Sequence, residues 1–154
     1  MNHIEIPELA IQDKQPLIDY FYSKQEGVVP NTYRGLNFLD LDETPDCIQG
    51  IINKINPEFF RLIYYCVSNS DIEKHTDHRR SSAISIELIN EHDIPISYED
   101  GDSYYHVPIL MNTWKPHWVS NPNNGFRLFV HIDLNRDLLF DDYVIEYNKG
   151  NLIV

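Results

Sequence analysis

The sequence predicts a mainly β fold, a jelly roll that N-terminal helices flank. Short apolar and alternating segments recur after Pro57, and strong turn signals separate them. The residues before Pro57 carry helical signals instead. Several short strands at this spacing are typical of a sandwich or barrel, and two amphipathic helices can cover one outer face.

The flank is predicted to comprise residues 1–57 and to be mostly helical. Asp13–Lys24 is predicted as the first helix, with apolar anchors at helical spacing. The second helix is predicted to begin at Thr44 as N-cap, with Pro45 in the first helical position, and to end before Pro57. Its apolar stripe consists of Ile48, Ile51, Ile52 and Ile55.

Residues 58–154 are predicted to form the strand core of a single domain that spans residues 1–154. The predicted strands are Phe59–Val67, Ser82–Ile89, Ile94–Tyr98, Ser103–Met111 and Phe126–Leu134. Turn-forming residues at 99–102 and 121–125 separate the later strands. A last hairpin is predicted from Tyr143–Tyr147 and Leu152–Val154.

Composition excludes several classes of protein. The net charge of −12 repels phosphate backbones, so a nucleic-acid partner is disfavoured. No apolar run approaches the roughly 18 residues of a membrane span, and the N-terminus lacks the pattern of a signal peptide. Two cysteines are too few for a disulfide scaffold, so a reduced, cytoplasmic setting is predicted.

His75, Asp77 and His117 are candidate metal ligands. A histidine and a carboxylate two residues apart lie on the same side of an extended segment, so both can face one ion. His117 precedes a turn and a strand, and two strands of one barrel can bring it to the same place. Two histidines and one carboxylate leave several coordination positions open, as in non-haem Fe(II) oxygenases. The alternatives are a polar turn at His75 and a buried His117 bonded to a backbone carbonyl.

Arg127 is the third element of the pattern, ten residues after His117. Its neighbours Phe126 and Leu128 are apolar, and an arginine inside a hydrophobic strand needs an anionic partner. The guanidinium fork suits a carboxylate. A dicarboxylate cosubstrate could therefore bridge Arg127 and the metal. The alternative is a salt bridge to one of the 24 acidic side chains.

This pattern resembles the Fe(II)/2-oxoglutarate-dependent dioxygenases. The stretch KPHWVSNPNNGFRLFVHIDL is similar to the end of the aspartyl/asparaginyl β-hydroxylase-like group, which includes free-proline hydroxylases. Members commonly show a histidine, a valine, an asparagine, an arginine opening a hydrophobic strand, and an aspartate near its end. The matching residues are His117, Val119, Asn121, Arg127 and Asp133. The resemblance covers Phe60 to about Leu134.

The resemblance implies a double-stranded β-helix, a cupin-like form of jelly roll. It also implies that His75, Asp77 and His117 bind Fe(II) and that Arg127 holds the distal carboxylate of 2-oxoglutarate. With O₂, such an enzyme hydroxylates an amino acid or a peptidyl Asp, Asn or Pro side chain. Many members carry a serine two residues after the arginine, where this chain has Phe129.

Six further residues are candidates for the pocket. Tyr64 and Tyr65 point to opposite faces of one strand, so one of them should face the interior and could bond the cosubstrate. The weaker candidates for substrate contact are Arg79, Arg80, Trp118 and His131. Solvated charge and ordinary packing are the alternatives for these residues.

Two other hypotheses compete with the dioxygenase. In a cupin-like metal protein without 2-oxoglutarate, His117 and Asn121 would fit the second cupin motif, but HTDHRRSSA lacks the first. In a non-catalytic jelly-roll binding module, the spacing of His75 and Asp77 would be accidental. The expected partner of an enzyme is a small-molecule or peptide substrate rather than a membrane. Nucleobase oxidation is a weaker alternative because of the net charge of −12.

Overall fold

The computed structural model describes residues 1–25, 31–33 and 36–154. This part of the chain forms eleven strands in two antiparallel sheets, together with three α-helices. The strands are β1 (His3–Glu5), β2 (Asn31–Tyr33), β3 (Leu36–Asp40), β4 (Phe60–Ser68), β5 (Ile72–His75), β6 (Ser82–Asn90), β7 (Ile96–Tyr98), β8 (Gly101–Ser103), β9 (Ile109–Asn112), β10 (His117–Val119) and β11 (Arg127–Leu134). The prediction of a mainly β fold is confirmed.

The larger sheet has the strand order β1-β9-β6-β11-β4-β3-β2, and the smaller sheet has the order β5-β10-β7-β8. Every pairing in both sheets is antiparallel. At the centre of the larger sheet, β11 pairs with both β4 and β6. In the smaller sheet, His117 lies directly opposite His75.

The alternation of side chains along β11 separates two apolar layers. Leu128, Val130 and Ile132 are fully buried in the main core, on the helix side of the larger sheet. Phe129 points to the other face and packs with Ile96 of the smaller sheet. Since successive residues of a strand face opposite sides, Arg127, Phe129, His131 and Asp133 all lie on the face that the smaller sheet covers.

The α-helices are α1 (Gln15–Gln25), α2 (Asp46–Ile52) and α3 (Phe140–Asn148), and Pro7–Leu9 forms a short 3-10 helix. The first helix packs on the larger sheet through Leu17 and Phe21, which are buried beside Tyr65. None of the helices in residues 1–25, 31–33 and 36–154 is long and apolar enough to cross a membrane.

The two predicted N-terminal helices are present with corrected boundaries: the first begins at Gln15 and not at Asp13, and the second ends at Ile52, ahead of the predicted stop at Pro57. Thr44 is not the N-cap of the second helix: Pro45 takes that position in extended conformation, with no side-chain capping bond. The Pro45 carbonyl accepts hydrogen bonds from the amides of Ile48 and Gln49, so the helix begins at Asp46. The segment 1–57 also contributes β1, β2 and β3 to the larger sheet, which its helical pattern does not indicate.

The predicted C-terminal hairpin is wrong, because α3 occupies Tyr143–Tyr147. Its aromatic and branched residues fit a strand, but Phe140 and Tyr143 are three residues apart and both are buried, as on one face of a helix. The Asp142 carboxylate accepts a hydrogen bond of 2.9 Å from the Leu139 amide at the N-terminus. Gly150, with φ of 79°, follows the C-terminus in the left-handed region.

The predicted strand Ser103–Met111 is two strands in different sheets. β8 ends at Ser103 and pairs with β7 in the smaller sheet, whereas β9 begins at Ile109 and joins the larger sheet. Pro108 lies at the crossing and cannot donate a backbone hydrogen bond. The chain therefore passes from one sheet to the other here.

Ile132→Ala tests the core. Ile132 is fully buried and lies between Ile63 and Ile84 of the neighbouring strands. We expect the free energy of unfolding to fall by about 2–5 kcal/mol, from lost burial and the cavity left behind. Leu62→Ala is the matched control, since Leu62 is 39% exposed, and its loss should stay below about 1 kcal/mol. Equal losses in urea denaturation would contradict the assigned faces of these strands.

Candidate metal centre

His75 and His117 face each other across the smaller sheet. His75 ends β5, His117 begins β10, and the antiparallel pairing sets them opposite one another. Directly opposed residues of an antiparallel pair project to the same face. Their ring centroids are accordingly 4.3 Å apart.

Backbone carbonyls orient both rings. His75 Nδ1 donates to the carbonyl of Glu73 at 2.7 Å, and His117 Nδ1 donates to the carbonyl of Lys115 at 2.8 Å. A carbonyl oxygen can only accept, so the proton of each neutral imidazole is on Nδ1 and the lone pair is on Nε2. Metal-binding histidines usually donate the N–H of their other ring nitrogen to a carbonyl or carboxylate in this way.

Asp77 completes the group. Its Oδ1 lies 3.5 Å from His75 Nε2 and 3.8 Å from His117 Nε2. The Asp77 amide donates a hydrogen bond of 2.9 Å to the carbonyl of Thr113, which follows β9. This bond holds the Asp77 backbone against the end of that strand. The three side chains offer ligand atoms that all lie within 4.8 Å of one another. Two imidazole nitrogens and one carboxylate oxygen form a donor set that suits a divalent transition metal.

The electrostatics favour the protonation states that metal binding requires. Burial lowers the pKa of His117 below its ordinary value of 6.5, and the ring is therefore neutral at pH 7. Burial raises the pKa of Asp77, but the contact with His75, together with the charge and the hydrogen bond of Arg80, outweighs this effect and holds the pKa well below its usual range. Asp77 is therefore a carboxylate at pH 7.

A cavity of about 80 Å³ lies between the two sheets beside this group. That volume is several times the roughly 10–15 Å³ that one water molecule requires. The three candidate ligands form part of the wall, and apolar side chains from both sheets form much of the rest, among them Ile72, Ile96, Met111, Val119 and Phe129. The space can hold a small ligand.

Arg127 lines the same cavity and is 3% exposed. Its Nη1 donates to Ser68 Oγ at 3.3 Å, and its guanidinium carbon lies 4.8 Å from the ring centroid of Phe129 and 5.7 Å from that of Tyr105. Its Nε is buried and has no hydrogen-bond partner in the described structure.

The predicted alternative for Arg127, a salt bridge to a protein carboxylate, finds no support in the described parts of the chain. There, the arginine ion pairs involve Arg61, Arg80 and Arg136, and no Asp or Glu pairs with Arg127. An unpaired buried charge is costly. Among the described residues, the guanidinium therefore has no carboxylate partner that would compete with an anion in the cavity.

The two tyrosines point to opposite faces of β4, as predicted, but only Tyr64 lies on the cavity side. Its hydroxyl donates to Asp133 Oδ1 at 3.1 Å. Tyr65 lies in the main core, and its hydroxyl donates to the Leu17 carbonyl of α1 at 2.6 Å. The prediction that Tyr65 contacts the cosubstrate is therefore wrong, because the alternation of β4 places this side chain on the helix side of the larger sheet.

The four weaker candidates occupy different positions. Trp118 and His131 line the cavity. Arg80 also lines it, but its Nε donates to Asp77 Oδ2 at 2.7 Å, so this donor contacts a protein carboxylate and not a substrate. Arg79 is exposed and does not line the cavity, so the structure gives no support to the substrate contact predicted for it.

Sequence reasoning missed three residues of the site. Ser68 and Tyr105 contact Arg127, and Thr113 holds the backbone at Asp77. Ser68 could have been found, because it shares the face of Tyr64 in β4. Tyr105 and Thr113 belong to connections between strands, where no periodic pattern assigns a face.

No model of a known protein family matches this chain, and no curated protein matches it. The assignment of the centre therefore depends on the chemistry and geometry of its own residues.

His131 makes the fold sensitive to acid. Burial lowers the pKa of His131 from 6.5 to about 3, and the charges of Arg80 and Arg127 add to this effect. Below pH 6.5 the unfolded chain binds a proton that the folded chain excludes until about pH 3. The free energy of unfolding should therefore fall by about 1 kcal/mol per pH unit from this group as pH decreases below 6.5.

His131→Phe removes this titration. Urea denaturation at pH 7, 6 and 5 should show a shallower loss of stability in the variant than in the wild type. Parallel pH profiles for the two proteins would contradict the lowered pKa of His131 in the folded protein.

Proposed function

We propose that this protein is an Fe(II)- and 2-oxoglutarate-dependent dioxygenase that hydroxylates an amino acid or a peptidyl Asp, Asn or Pro side chain. The observation that carries the proposal is one cavity with two complementary features. The first is the group of His75, Asp77 and His117, and the second is the buried Arg127 with an Nε that has no partner in the described structure. The spacing of these residues along the chain supports the same conclusion.

We also infer that the two sheets are those of a double-stranded β-helix, the jelly roll of such oxygenases. The face-to-face packing of the antiparallel sheets around the cavity supports this inference. The expected setting is the cytoplasm, and the expected partner is a small molecule or a peptide.

His75 Nε2, Asp77 Oδ1 and His117 Nε2 would hold the metal. Three protein ligands on one side leave further coordination positions for the cosubstrate and oxygen. Bound iron, with 2-oxoglutarate and O₂, would supply the oxidising chemistry and release succinate and CO₂. The carbonyls of Glu73 and Lys115 keep each imidazole turned so that Nε2 faces the centre.

Arg127 would bind the carboxylate of 2-oxoglutarate that lies away from the metal. Ser68 and the rings of Phe129 and Tyr105 hold the guanidinium in place, so little side-chain freedom is lost when an anion binds. Much of the cavity wall is apolar, and charge attraction is stronger in such surroundings than in bulk solvent. A dicarboxylate matches a cavity that offers a metal site and a guanidinium.

The metal site is tested by anaerobic Fe(II) titration of His75→Ala and His117→Ala. Loss of one of three ligands should weaken the affinity at least tenfold relative to the wild type, as even loss of an outer contact typically costs that much. His106→Ala is the matched control, because His106 is exposed and pairs with Asp93. Unchanged Fe(II) affinity in both His75→Ala and His117→Ala would contradict the proposed metal site.

The cosubstrate site is tested by succinate formation at varied 2-oxoglutarate, without a prime substrate, in Arg127→Ala and Arg127→Lys. Two charge-assisted bonds contribute about 1.5–3 kcal/mol each, so Arg127→Ala should raise the 2-oxoglutarate requirement by one or more orders of magnitude. Arg127→Lys keeps the charge without the fork and should be intermediate. Iron binding should persist in both variants.

Arg79→Ala, on the surface, is the control for the cosubstrate site and should behave as the wild type. Arg127→Ala that matches the wild type at every concentration would contradict the assignment. A wild type that forms no succinate with iron, ascorbate and candidate amino acids or peptides would favour a cupin-like metal protein or a binding module.

A further inference from the structure

We propose that Arg80 is a positioning residue, which fixes the metal-binding carboxylate of Asp77 and ties it to the larger sheet. The proposal rests on the metal centre of the proposed function. It assigns Arg80 a role inside the protein in place of the substrate contact that the sequence indicates.

The two oxygens of Asp77 have separate partners. Oδ2 accepts a hydrogen bond of 2.7 Å from Arg80 Nε, whereas Oδ1 faces Nε2 of both histidines. Rotation of the carboxylate would break the bond to Arg80. Arg80 therefore presents one chosen oxygen to the metal position and keeps the other from chelating the same ion.

The other end of Arg80 contacts the centre of the larger sheet. Its Nη1 donates to Tyr64 Oη at 2.6 Å and to Asp133 Oδ1 in a short contact. Tyr64 Oη in turn donates to the same Asp133 oxygen at 3.1 Å. Tyr64 and Asp133 belong to the paired strands β4 and β11 and are 6% and 5% exposed, so the guanidinium is anchored to a buried part of the fold.

The charges explain why an arginine is suited to this position. Its single positive charge lies between Asp77 and Asp133, and the half-exposed Arg61 lies 3.6 Å from the outer oxygen of Asp133. A planar fork can bond two acceptors in different directions at once, which a lysine ammonium on a flexible stem does less well. Both carboxylates thereby keep a partner.

The backbone around Arg80 is held independently of its side chain. Thr113 Oγ1 donates to the Arg80 carbonyl at 3.2 Å, and the Thr113 amide donates to the Ser81 carbonyl at 2.9 Å. The Thr113 carbonyl accepts the Asp77 amide. Substitution of the Arg80 side chain therefore leaves the local backbone contacts in place.

The first test is Co(II) binding, followed by the visible absorption of the bound ion, in the wild type, Arg80→Gln and Arg79→Gln. Loss of an outer partner of a metal ligand typically weakens affinity 10–100-fold, and we expect this loss and an altered spectrum in Arg80→Gln. Arg79→Gln, one residue away and exposed, should stay within about twofold of the wild type. Arg80→Gln with unchanged affinity and spectrum would overturn the proposal.

A double-mutant cycle separates positioning from a general effect on the fold. In an Asp77→Ala background, Arg80 has no metal ligand to position, so Arg80→Gln should cause no further loss of Co(II) affinity. An equal loss in both backgrounds would overturn the proposal. A wild type that binds no Co(II) would instead overturn the metal centre itself, so the two failures are distinguishable.

Arg80→Lys provides the test if Arg80→Gln does not fold. The variant keeps the charge but cannot reproduce the fork, and its Co(II) affinity should lie between those of the wild type and Asp77→Ala. Affinity and spectrum equal to those of the wild type would show that the fork does not position Asp77.

Discussion

Two guanidinium groups between the sheets, Arg127 buried and Arg80 partly buried, set the main constraint on this structure, because a charge removed from water needs a partner of opposite sign. Arg80 finds two such partners in the protein, Asp77 and Asp133. Arg127 pairs with no carboxylate in the described structure, and its Nε is buried there without a hydrogen-bond partner. The proposed function follows from this difference, since an anionic ligand would provide the partner that Arg127 lacks.

The two sheets divide the construction of the centre between them. Pairing of β5 with β10 in the smaller sheet sets His75 opposite His117, and carbonyls two residues earlier turn both rings toward Asp77. The larger sheet supplies Arg127 and, through Asp133, the anchor for Arg80. The cavity lies where the two contributions meet, so its geometry depends on the packing of the sheets.

The sequence predicts the parts of the fold and site that depend on local periodicity. Alternation within β11 places Arg127 on the covered face, and the three candidate metal ligands come together as their spacing indicates. The partners of Arg80 are not predictable in this way, because Arg80 lies between β5 and β6, and Asp133 lies 53 residues away on β11. The residues Tyr143–Tyr147 fit both the alternation of a strand and the 3.6-residue period of a helix. The helix is stabilised by the Asp142 cap and by burial against the core.

The most direct test of the central claim is an anaerobic crystal structure with Mn(II) and 2-oxoglutarate. The account predicts one ion in contact with His75 Nε2, Asp77 Oδ1 and His117 Nε2, and one carboxylate of 2-oxoglutarate against the guanidinium of Arg127. An ion held elsewhere, or a protein carboxylate paired with Arg127 where the ligand should lie, would contradict it.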